Sequence, residues 1–427
     1  MTGLAPRQGI WVYWRPPMPK APSERPELEL VRELDQHAER ADRALGAGGP
    51  WRRFFAPGRA NLMGAHLDYN GGPVMPTAID RGTYLAVRRR EDGIVRFASR
   101  LESEQVAFEL DQLPGQAAGV WFDYPLGVLR EFHRREFEEG RSGTAGVDVY
   151  FGGNLPIGAG LSSSASICVG FAMALDATFE RARGPEAWVA DALSAERGFV
   201  GVQCGIMDPF AVGQGRAGQL LWLDCLDRSF EHVPLDPGRV AIAVADSGAR
   251  RELASGAFNQ RVAQCEAALQ ALSGPATEVL GRAPKFLREI PREVARQELS
   301  GLEPLLQRRA RHVFSELERT FAAREALRQD DPAGFGARMT EAHASLRVDF
   351  EVSTPELDLL VETAVSVPGV LGSRLTGAGF GGCTVILLER GAERDLADRL
   401  GREYERVTGR RPGMEFFAGD AGPRELA

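Results

Sequence analysis

The stretch Pro156-Ile-Gly-Ala-Gly-Leu-Ser-Ser-Ser-Ala165 lies between a strand-like segment and a long apolar segment that predicts a helix. Its small residues allow the backbone to approach an anion closely. A helix that begins at the serines would direct unpaired N–H groups and a positive dipole end toward that anion. Serine hydroxyls can add hydrogen bonds or an oxygen ligand for Mg²⁺. A glycine-containing loop before a serine-capped helix explains the same residues, so this stretch alone leaves both interpretations open.

Segments of both periodicities surround this stretch. Helical spacing of apolar residues predicts helices at 27–45, 121–137, 165–179 and 185–200, and over most of 259–329. Strands are predicted at 84–87, 94–97, 147–151, 219–224, 240–244 and, as the final one, 383–388. Phe54 to Gly58 leads into a predicted turn. Because strands and helices do not alternate regularly, the pattern favours an α+β fold. A boundary near 234–237 separates an N-terminal domain (51–236) from a C-terminal domain (237–427), and residues 1–50 form an N-terminal extension before them.

The composition excludes several classes of protein. At 427 residues the chain is long enough for two compact domains, and its net charge of −8 disfavours a broad grip on nucleic acid or on an anionic membrane. No apolar run approaches the roughly 18 residues of a membrane span, and no secretory signal is apparent. The five cysteines lack metal-ligand spacing and predict reduced thiols in a cytoplasmic protein.

A second glycine cluster, Gly377-Ala-Gly-Phe-Gly-Gly382, satisfies the bare GxGxxG pattern. A dinucleotide site requires a strand before the glycines and a helix after them. Here the following residues, 384–388, predict a strand. A flexible backbone cradle or a tight turn therefore explains the glycines better than a dinucleotide site does.

Two further stretches contain polar side chains suited to a reaction. Residues 58–72 (GRANLMGAHLDYNGG) supply the mixture of donors and acceptors that a polyol requires, although a solvated turn is the plain alternative. The second stretch is Cys204-Gly-Ile-Met-Asp-Pro209, in which Asp208 could be a buried general base. Asp followed by Pro also begins helices, with Asp as N-cap, and the local sequence favours that role.

Together these segments resemble the GHMP small-molecule kinases and, within them, the galactokinase family. The pattern at 58–69 is similar to the galactokinase signature, 156–165 to the shared phosphate-binding motif, and 375–383 to the third family motif. Segments at 121–127, 309–316 and 343–358 extend the resemblance. It implies an N-terminal domain like ribosomal protein S5 domain 2 and a ferredoxin-like C-terminal domain. It also implies transfer of the γ-phosphoryl group of ATP to the anomeric hydroxyl of a sugar.

The resemblance further implies roles for individual residues. Asp208 would face the anomeric hydroxyl as the candidate base, and Arg59 would hold Asp208 ionised and stabilise charge on the transferred group. Glu196, with Ser163 or Ser164, would hold Mg²⁺. The ATP phosphates would lie on residues of the two glycine segments, namely Gly158, Gly160, Leu161, Ser162, Ser163, Ser164, Ala165, Gly377 and Gly379.

The residues implied in sugar binding depart from the family pattern at two positions. His66 and Asp68 would bind sugar hydroxyls, and Gly205 would let the sugar approach the backbone. Galactokinases usually carry Glu where this chain has Ala65, and Tyr where it has Phe258. Each change removes a polar partner, a loss on the order of 1 kcal/mol. Losing the glutamate also removes repulsion toward a carboxylate at C6, so galacturonate stands beside galactose as an acceptor.

Two other functions remain open at this stage. A galactokinase-like chain could serve as a non-catalytic sensor of sugar and ATP, although retention of the proposed catalytic residues favours catalysis. Another GHMP kinase could act on a different alcohol or a sugar phosphate, which the signature at 58–69 disfavours. The only lysines, Lys20 and Lys285, lie outside the motifs of P-loop enzymes and protein kinases, which agrees with a lysine-free phosphate site.

Overall fold

The computed structural model describes residues 26–45, 49–141, 145–156, 160–202, 204–249 and 254–426. Within these residues the chain forms twelve β-strands and eleven α-helices. The strands are β1 (Arg52–Met63), β2 (Pro73–Arg89), β3 (Ile94–Ser99), β4 (Glu102–Glu109), β5 (Val147–Gly153), β6 (Gln219–Asp224), β7 (Phe230–Pro234), β8 (Val240–Asp246), β9 (Val370–Thr376), β10 (Cys383–Glu389), β11 (Gly413–Phe417) and β12 (Arg424–Leu426). The helices are α1 (Pro26–Leu45), α2 (Asp123–Glu138), α3 (Ser163–Thr178), α4 (Pro185–Ser194), α5 (Met207–Gly213), α6 (Ala254–Leu280), α7 (Arg292–Glu298), α8 (Pro304–Arg328), α9 (Pro332–Val348), α10 (Pro355–Val365) and α11 (Glu393–Thr408). The predicted α+β class is confirmed.

The first sheet contains eight strands, with β12, β1, β2, β5, β3 and β4 adjacent in that order. β6 pairs with the beginning of β2, and β7 pairs with β6. The pair β3–β5 is parallel, whereas β1–β2 and β2–β5 are antiparallel. Apolar side chains of α2 and α3 cover one face of this sheet; the cluster includes Phe54, Leu85, Phe97, Phe132, Phe151, Val169 and Phe171. Leu30 and Leu34 of α1 pack on the other face.

β1 departs from the prediction of a turn after Gly58, because the strand continues to Met63. The register between β1 and β2 shifts between Pro57 and Gly58, which marks a β-bulge. A bulge tolerates proline, since its unpaired residue needs no ladder N–H. A β-carbon on Gly58 would lie 2.7 Å from the carbonyl oxygen of Leu161, so the glycine lets the segment before α3 lie on β1. The bulged strand thereby carries Arg59 to the start of α3.

The second sheet has four antiparallel strands in the order β11-β8-β10-β9. Numbered along the chain from β8 this is 4-1-3-2, and helices connect β8 to β9 and β10 to β11, as in a ferredoxin-like sandwich. On one face the alanines of β8 pack against α10 and α11 through Leu360, Leu396 and Tyr404. On the other face Val244 and Val385 belong to a cluster that also contains residues of α9 and β1. The second sheet is therefore joined to the first by a shared core.

The end of the described chain returns to the first sheet. Two strands, β11 and β12, follow the segment 383–388 that was predicted as the final strand, so that prediction is wrong. Both are short, and β12 has only three residues, too few for a period to be recognised. β12 pairs with β1, and Asp420 N donates to the carbonyl oxygen of Ala78. The division at residues 236 and 237 stays a prediction, and residues 1–25 lie outside the described residues.

The segment 185–200, predicted as one helix, changes its hydrogen bonding part of the way along. α4 ends at Ser194, and a π-helix follows over Ala195–Val200. Short π-helical segments occur often at functional sites, because they turn side chains away from the regular α-helical face. Here the segment carries Glu196. None of the helices in the described ranges is long and apolar enough to cross a membrane.

Candidate active site

Arg59 of β1 and Asp208 of α5 form a bidentate ion pair. Arg59 Nε donates to Asp208 Oδ1 over 2.7 Å, and Arg59 Nη2 donates to Oδ2 over 2.8 Å. The arginine side chain is 7% exposed, whereas 29% of the Asp208 side chain is exposed. Paired N–H···O bonds to a carboxylate are strong and fix its plane. The ion pair therefore presents the Asp208 carboxylate in one orientation at an accessible surface.

The local sequence favours Asp208 as the N-cap of a helix, and this prediction is wrong. The N-cap of α5 is Ile206, and no side chain caps the helix. Pro209 lies within the first turn, where its missing N–H costs no intrahelical hydrogen bond. The Asp208 carboxylate instead accepts hydrogen bonds from Arg59 and from the hydroxyl of Ser162. The Asp-Pro pair begins the helix, but the aspartate faces the glycine-serine segment.

The glycine-serine segment ends at the start of α3. Residues 157–159, with the predicted phosphate contact Gly158, lie outside the described part of the chain. Ser162 is the N-cap residue, yet its side chain donates to Asp208 and does not cap the helix. The first N–H groups of α3 therefore have no side-chain cap, and the positive end of the helix dipole lies beside them. Gly160 and Ser163 are exposed there, whereas Leu161 is buried.

The second glycine segment lies beside the first. A β-carbon on Gly160 would be 3.9 Å from the Cα atom of Gly377. Gly377 and Gly379 have φ angles of 79° and 80° in the turn between β9 and β10. A β-carbon on Gly379 would meet the carbonyl oxygen of Val352 at 2.4 Å, so only glycine fits this turn. Because β10 follows the glycines, the dinucleotide interpretation is excluded.

Glu196 and Ser164, two of the predicted metal ligands, lie together. Glu196 is buried and accepts hydrogen bonds from the Ser164 hydroxyl and from Cys204 Sγ, the latter over 3.5 Å. Burial raises the pKa of Glu196, and the nearby charge of Asp208 adds to this effect, while the hydrogen bond from Ser164 opposes it. The described residues contain no group of three or more His, Cys, Asp or Glu side chains arranged to hold a metal ion.

His66 lies in a buried aromatic environment. Its Nδ1 atom is 3.0 Å from the hydroxyl of Tyr69, and its ring packs at 4.7 Å from Phe350 and 6.0 Å from Phe258. Burial lowers the pKa of His66 to about 3, with smaller contributions from the charges of two arginines, Arg374 and Arg261. The ring is therefore neutral near pH 7. Its Nε2 atom is buried and has no hydrogen-bond partner among the described residues.

Asp68, two residues after His66, lies near the ion pair of Arg59 and Asp208. Burial and then the charge of Asp208 raise the pKa of Asp68 to about 6. Gly205 lies directly against Asp68, because a β-carbon at residue 205 would be 2.0 Å from Asp68 Oδ2. Phe258 packs beside the motif at 58–72, with the centre of its ring 5.7 Å from that of Tyr69. The structure thus brings the predicted sugar-binding residues to one place beside the ion pair.

Three residues outside the predicted site contact the backbone of the motif at 58–72. Glu316 accepts hydrogen bonds from the N–H groups of Gly64 and Ala65, and His312 contacts the carbonyl oxygen of Ala65. Arg374, which is buried, donates to the carbonyl oxygens of residues 61 and 62. The segment 309–316 resembles the kinase family, but its own sequence pattern does not indicate contacts with residues about 250 positions earlier in the chain.

Models of three protein families match the chain. The galactokinase galactose-binding signature matches residues 44–89. The GHMP kinases N-terminal domain matches residues 123–216, and the GHMP kinases C-terminal domain matches residues 323–406. These ranges contain most of the side chains described above, and together they extend over both sheets.

Individual proteins are similar over most of the chain. A galactokinase of Fusobacterium nucleatum is 40% identical over 366 residues, which is 84% of this chain and 91% of that protein. A galactokinase of Bacillus subtilis is 37% identical over 385 residues, covering 88% and 94%. The crystal structure of Lactococcus lactis galactokinase complexed with galactose superposes with a TM-score of 0.82 at 31% identity, covering 92% of this chain and 100% of that one. A mevalonate kinase at 16% identity has a TM-score of 0.63, which indicates a common fold.

Proposed function

The chain belongs to the galactokinase family of the GHMP kinases and is an ATP-dependent sugar kinase, and we propose that it phosphorylates the anomeric hydroxyl of galactose or of a close relative. Membership confirms the resemblance drawn from the sequence and the two-domain kinase fold that it implied.

One observation carries the proposal. The carboxylate of Asp208 accepts hydrogen bonds both from Arg59 and from Ser162, the N-cap residue of α3. Arg59 belongs to residues 58–72, here called the sugar motif. A hydroxyl bound at this carboxylate would be adjacent to phosphates bound at the start of α3. Phosphoryl transfer needs this arrangement, because it depends mainly on positioning the acceptor in line with the transferred group.

In the proposed reaction Asp208 accepts a hydrogen bond from the anomeric hydroxyl and orients its oxygen toward the γ-phosphorus. The proton of that hydroxyl passes to the carboxylate as the new P–O bond forms and the bond to ADP breaks. Arg59 holds the carboxylate in place and places positive charge beside the transferred group. Since the transition state of phosphoryl transfer is loose, orientation contributes more than proton removal.

The ATP phosphates would bind where the two glycine segments meet. The N–H groups at the start of α3 lack a side-chain cap, and this end of the helix dipole favours negative charge. Leu161, Ser162, Ser163 and Ala165 would contribute from one segment, and Gly377 and Gly379 from the other. The two segments are close enough for both to contact one triphosphate.

Mg²⁺ would be held by Glu196 with Ser164 or Ser163. One carboxylate and one hydroxyl fit this ion, which binds few protein oxygens and keeps water and phosphate oxygens as its other ligands. A cation would also offset the negative charges of Glu196 and Asp208, which repel each other because they lie close together. When bound, Mg²⁺ would neutralise charge on the phosphate oxygens. The role of Glu196 is to fix that charge near the start of α3.

Galacturonate is a second candidate acceptor, and a specific observation favours it. Residue 65 is alanine, so no carboxylate of this residue opposes an acid at C6. The charges of Arg374 and Arg261 act together on His66, the next residue, and contribute to lowering its pKa. The positive potential that disfavours protonation of His66 would favour a carboxylate at the same place. For galactose, by contrast, Ala65 and Phe258 offer the C6 hydroxyl no polar side-chain partner.

An assay of ADP release with a panel of sugars tests the proposal. Galactose, galacturonate and the other aldohexoses would each be supplied with MgATP, and ³¹P NMR would identify the phosphorylated oxygen. We expect turnover with a galacto-configured sugar and a product phosphorylated at the anomeric oxygen. Binding of sugar and ATP without any ADP release would instead support a sensor, and phosphate on another oxygen would contradict the proposed acceptor.

A further inference from the structure

Helix α8 binds polar main-chain groups of the sugar motif, and its apolar side chains pack in one cluster with Ala65 and Leu67. Glu316 Oε1 accepts hydrogen bonds from the N–H groups of Gly64, over 3.2 Å, and Ala65, over 3.1 Å. Four residues earlier on the helix, His312 Nε2 lies 3.3 Å from the carbonyl oxygen of Ala65. Glu316 and His312 are completely buried. These two residues, here called the α8 clamp, bind both polar groups of the Ala65 backbone.

The α8 clamp is itself held in one orientation. Glu316 Oε2 accepts a hydrogen bond from Arg319 Nε over 2.8 Å, and His312 Nδ1 lies 3.0 Å from Ser345 Oγ. The carbonyl oxygen of Ala65 has no proton to give, so His312 Nε2 carries the proton and donates. Burial lowers the pKa of His312 well below its ordinary value, which keeps the ring neutral. Both clamp side chains therefore have fixed partners on the side away from the motif.

The backbone that the clamp binds has an unusual conformation. Gly64 has a φ of +84°, and a β-carbon there would lie 2.4 Å from the carbonyl oxygen of Pro73. His66 has a φ of +59°, which is uncommon for a residue with a side chain. Such conformations persist where surrounding contacts enforce them, and they cluster at sites of function. The clamp contacts residues 64 and 65 and so stabilises the backbone conformation directly before His66.

The orientation of the His66 ring follows from this backbone. Its Nε2 atom is buried and has no partner within the described ranges, so a hydrogen bond to a sugar hydroxyl would satisfy a polar atom that is otherwise unpaired. Its ring fits between Phe258 and Phe350, and a rotation of the backbone at residue 65 would displace it from this position. A misplacement of about 1 Å in a positioning group can reduce a reaction rate on the order of a hundredfold.

We propose that His312 and Glu316 are positioning residues for the sugar: they hold the Ala65 peptide and thereby aim His66 at the acceptor, without contacting the acceptor themselves. Both hydrogen bonds between the clamp and residue 65 go to main-chain atoms. A change of this side chain, and with it of the preferred sugar, would leave these hydrogen bonds in place wherever the new side chain fits the buried cluster around Ala65. This inference rests on the proposed function, since it assumes that His66 binds the acceptor.

A pair of substitutions at residue 312 tests the clamp. In His312→Gln the amide nitrogen reaches about as far as Nε2 and can still donate to Ala65, whereas His312→Leu keeps the bulk and removes the donor. We expect His312→Leu to raise the KM for the sugar roughly tenfold or more, because a buried carbonyl loses its partner. The KM for ATP should stay within about twofold, and His312→Gln should restore most of the sugar affinity.

Glu316→Gln provides the second variant, with Glu318→Gln as a matched control. Glutamine can accept one motif N–H but loses the ion pair with Arg319, so the KM for the sugar should rise while that for ATP does not. Glu318 lies on the same helix with 65% of its side chain exposed, so its substitution should change neither constant. Thermal unfolding with and without sugar would accompany each assay.

The outcomes separate this inference from the function on which it rests. If the unaltered chain phosphorylates no sugar, the proposed function fails. If it does, and His312→Leu lowers the unfolding temperature while the KM for the sugar is unchanged, the clamp is only structural. A parallel rise of both KM values would contradict the inference too, since it would indicate general disruption of the site.

Discussion

The carboxylate of Asp68 lies against the backbone of Gly205, so closely that a β-carbon at residue 205 would be 2.0 Å from Asp68 Oδ2. The two residues belong to different motifs, one at the end of the sugar motif and the other just before α5. Their contact brings Asp68 near Asp208, whose charge adds to burial in raising the pKa of Asp68 to about 6. Residue 205 must therefore be glycine, because a side chain there would collide with the Asp68 carboxylate and would also block a sugar that approaches the backbone.

Gly205→Ala should therefore displace Asp68 and weaken sugar binding. We expect the KM for the sugar to rise roughly tenfold or more, since a carboxylate that loses its place loses a hydrogen bond to the sugar. Steady-state kinetics with sugar and ATP varied separately would measure this. Gly198→Ala is the control, because no atom lies within 4 Å of a β-carbon at that exposed position. An unchanged KM in Gly205→Ala would remove Asp68 from the sugar site.

Sugar affinity should depend on pH through Asp68. With a pKa of about 6, the carboxyl is mostly ionised at pH 7 and roughly a tenth ionised at pH 5, so kcat/KM for the sugar should fall about tenfold between them. Stability changes in the opposite sense. Because the pKa in the folded chain is raised, protonated Asp68 stabilises the fold at low pH, and this contribution disappears as pH rises from about 4 to about 6.

The variant Asp68→Asn separates this ionisation from others. It should lower kcat/KM for the sugar at pH 7 and flatten its dependence between pH 5 and pH 7. A profile that is equally steep in Asp68→Asn would assign the pH dependence to another group, such as Glu196, whose pKa is also raised.

Asp208→Asn should abolish most of the turnover. Loss of the proton acceptor and of the carboxylate geometry should reduce kcat by about 10²- to 10⁴-fold. The variant also replaces the bidentate ion pair of Arg59 by at most one neutral hydrogen bond, while the bond from Arg59 to the Gly160 carbonyl oxygen remains. We expect this to cost about 1–3 kcal/mol in the free energy of unfolding. Asp420→Asn is a matched control, because Asp420 is buried and pairs with Arg424, outside the motifs that carry the proposed catalytic residues. It should lose comparable stability and keep its kcat; equal turnover in the two variants would refute the role of Asp208.

Ala65→Glu should change the preference among sugars. A carboxylate at this position would repel an acid at C6 and could bind a C6 hydroxyl, so the ratio of kcat/KM for galactose to that for galacturonate should rise at least about tenfold. The α8 clamp binds the main chain of residue 65, so its hydrogen bonds should persist. Because Ala65 is buried in an apolar cluster, thermal unfolding of each variant must accompany the assay. Ala65→Gln, of similar size but uncharged, controls for bulk. If both variants shift the ratio equally, charge is not the cause.

The sequence predicted those parts of the structure that depend on local pattern. Apolar periodicity indicated α2 and α3 closely and α4 at its first residue, and the glycine-serine stretch was placed correctly at the start of α3. Local pattern failed where a distant partner decides the conformation. The bulge at Pro57 and Gly58 looks like a turn until β2 is present beside it. The carboxylate of Asp208 looks like a helix cap because its partner, Arg59, is 149 residues away.

The same limit applies to the site. Polar residues within one motif, such as His66 and Asp68, could be chosen for their chemistry. Glu316 could not, because its function depends on N–H groups of residues about 250 positions earlier, and main-chain groups carry no sequence signal. The resemblance to a kinase family added the assignment of Asp208, which local reasoning alone placed in the wrong role.

Strand β12 has a consequence for how the chain folds during synthesis. Its residue Glu425 pairs with Arg52 of β1 across 373 positions, and β1 is the strand that carries Arg59. Until the ribosome has made residues 424–426, one edge of β1 remains open to other strands, and open edges promote aggregation. Contacts this distant in sequence also form slowly. A chain that stops short of β12 would leave the strand bearing Arg59 unprotected, even though every motif of the site had already been translated.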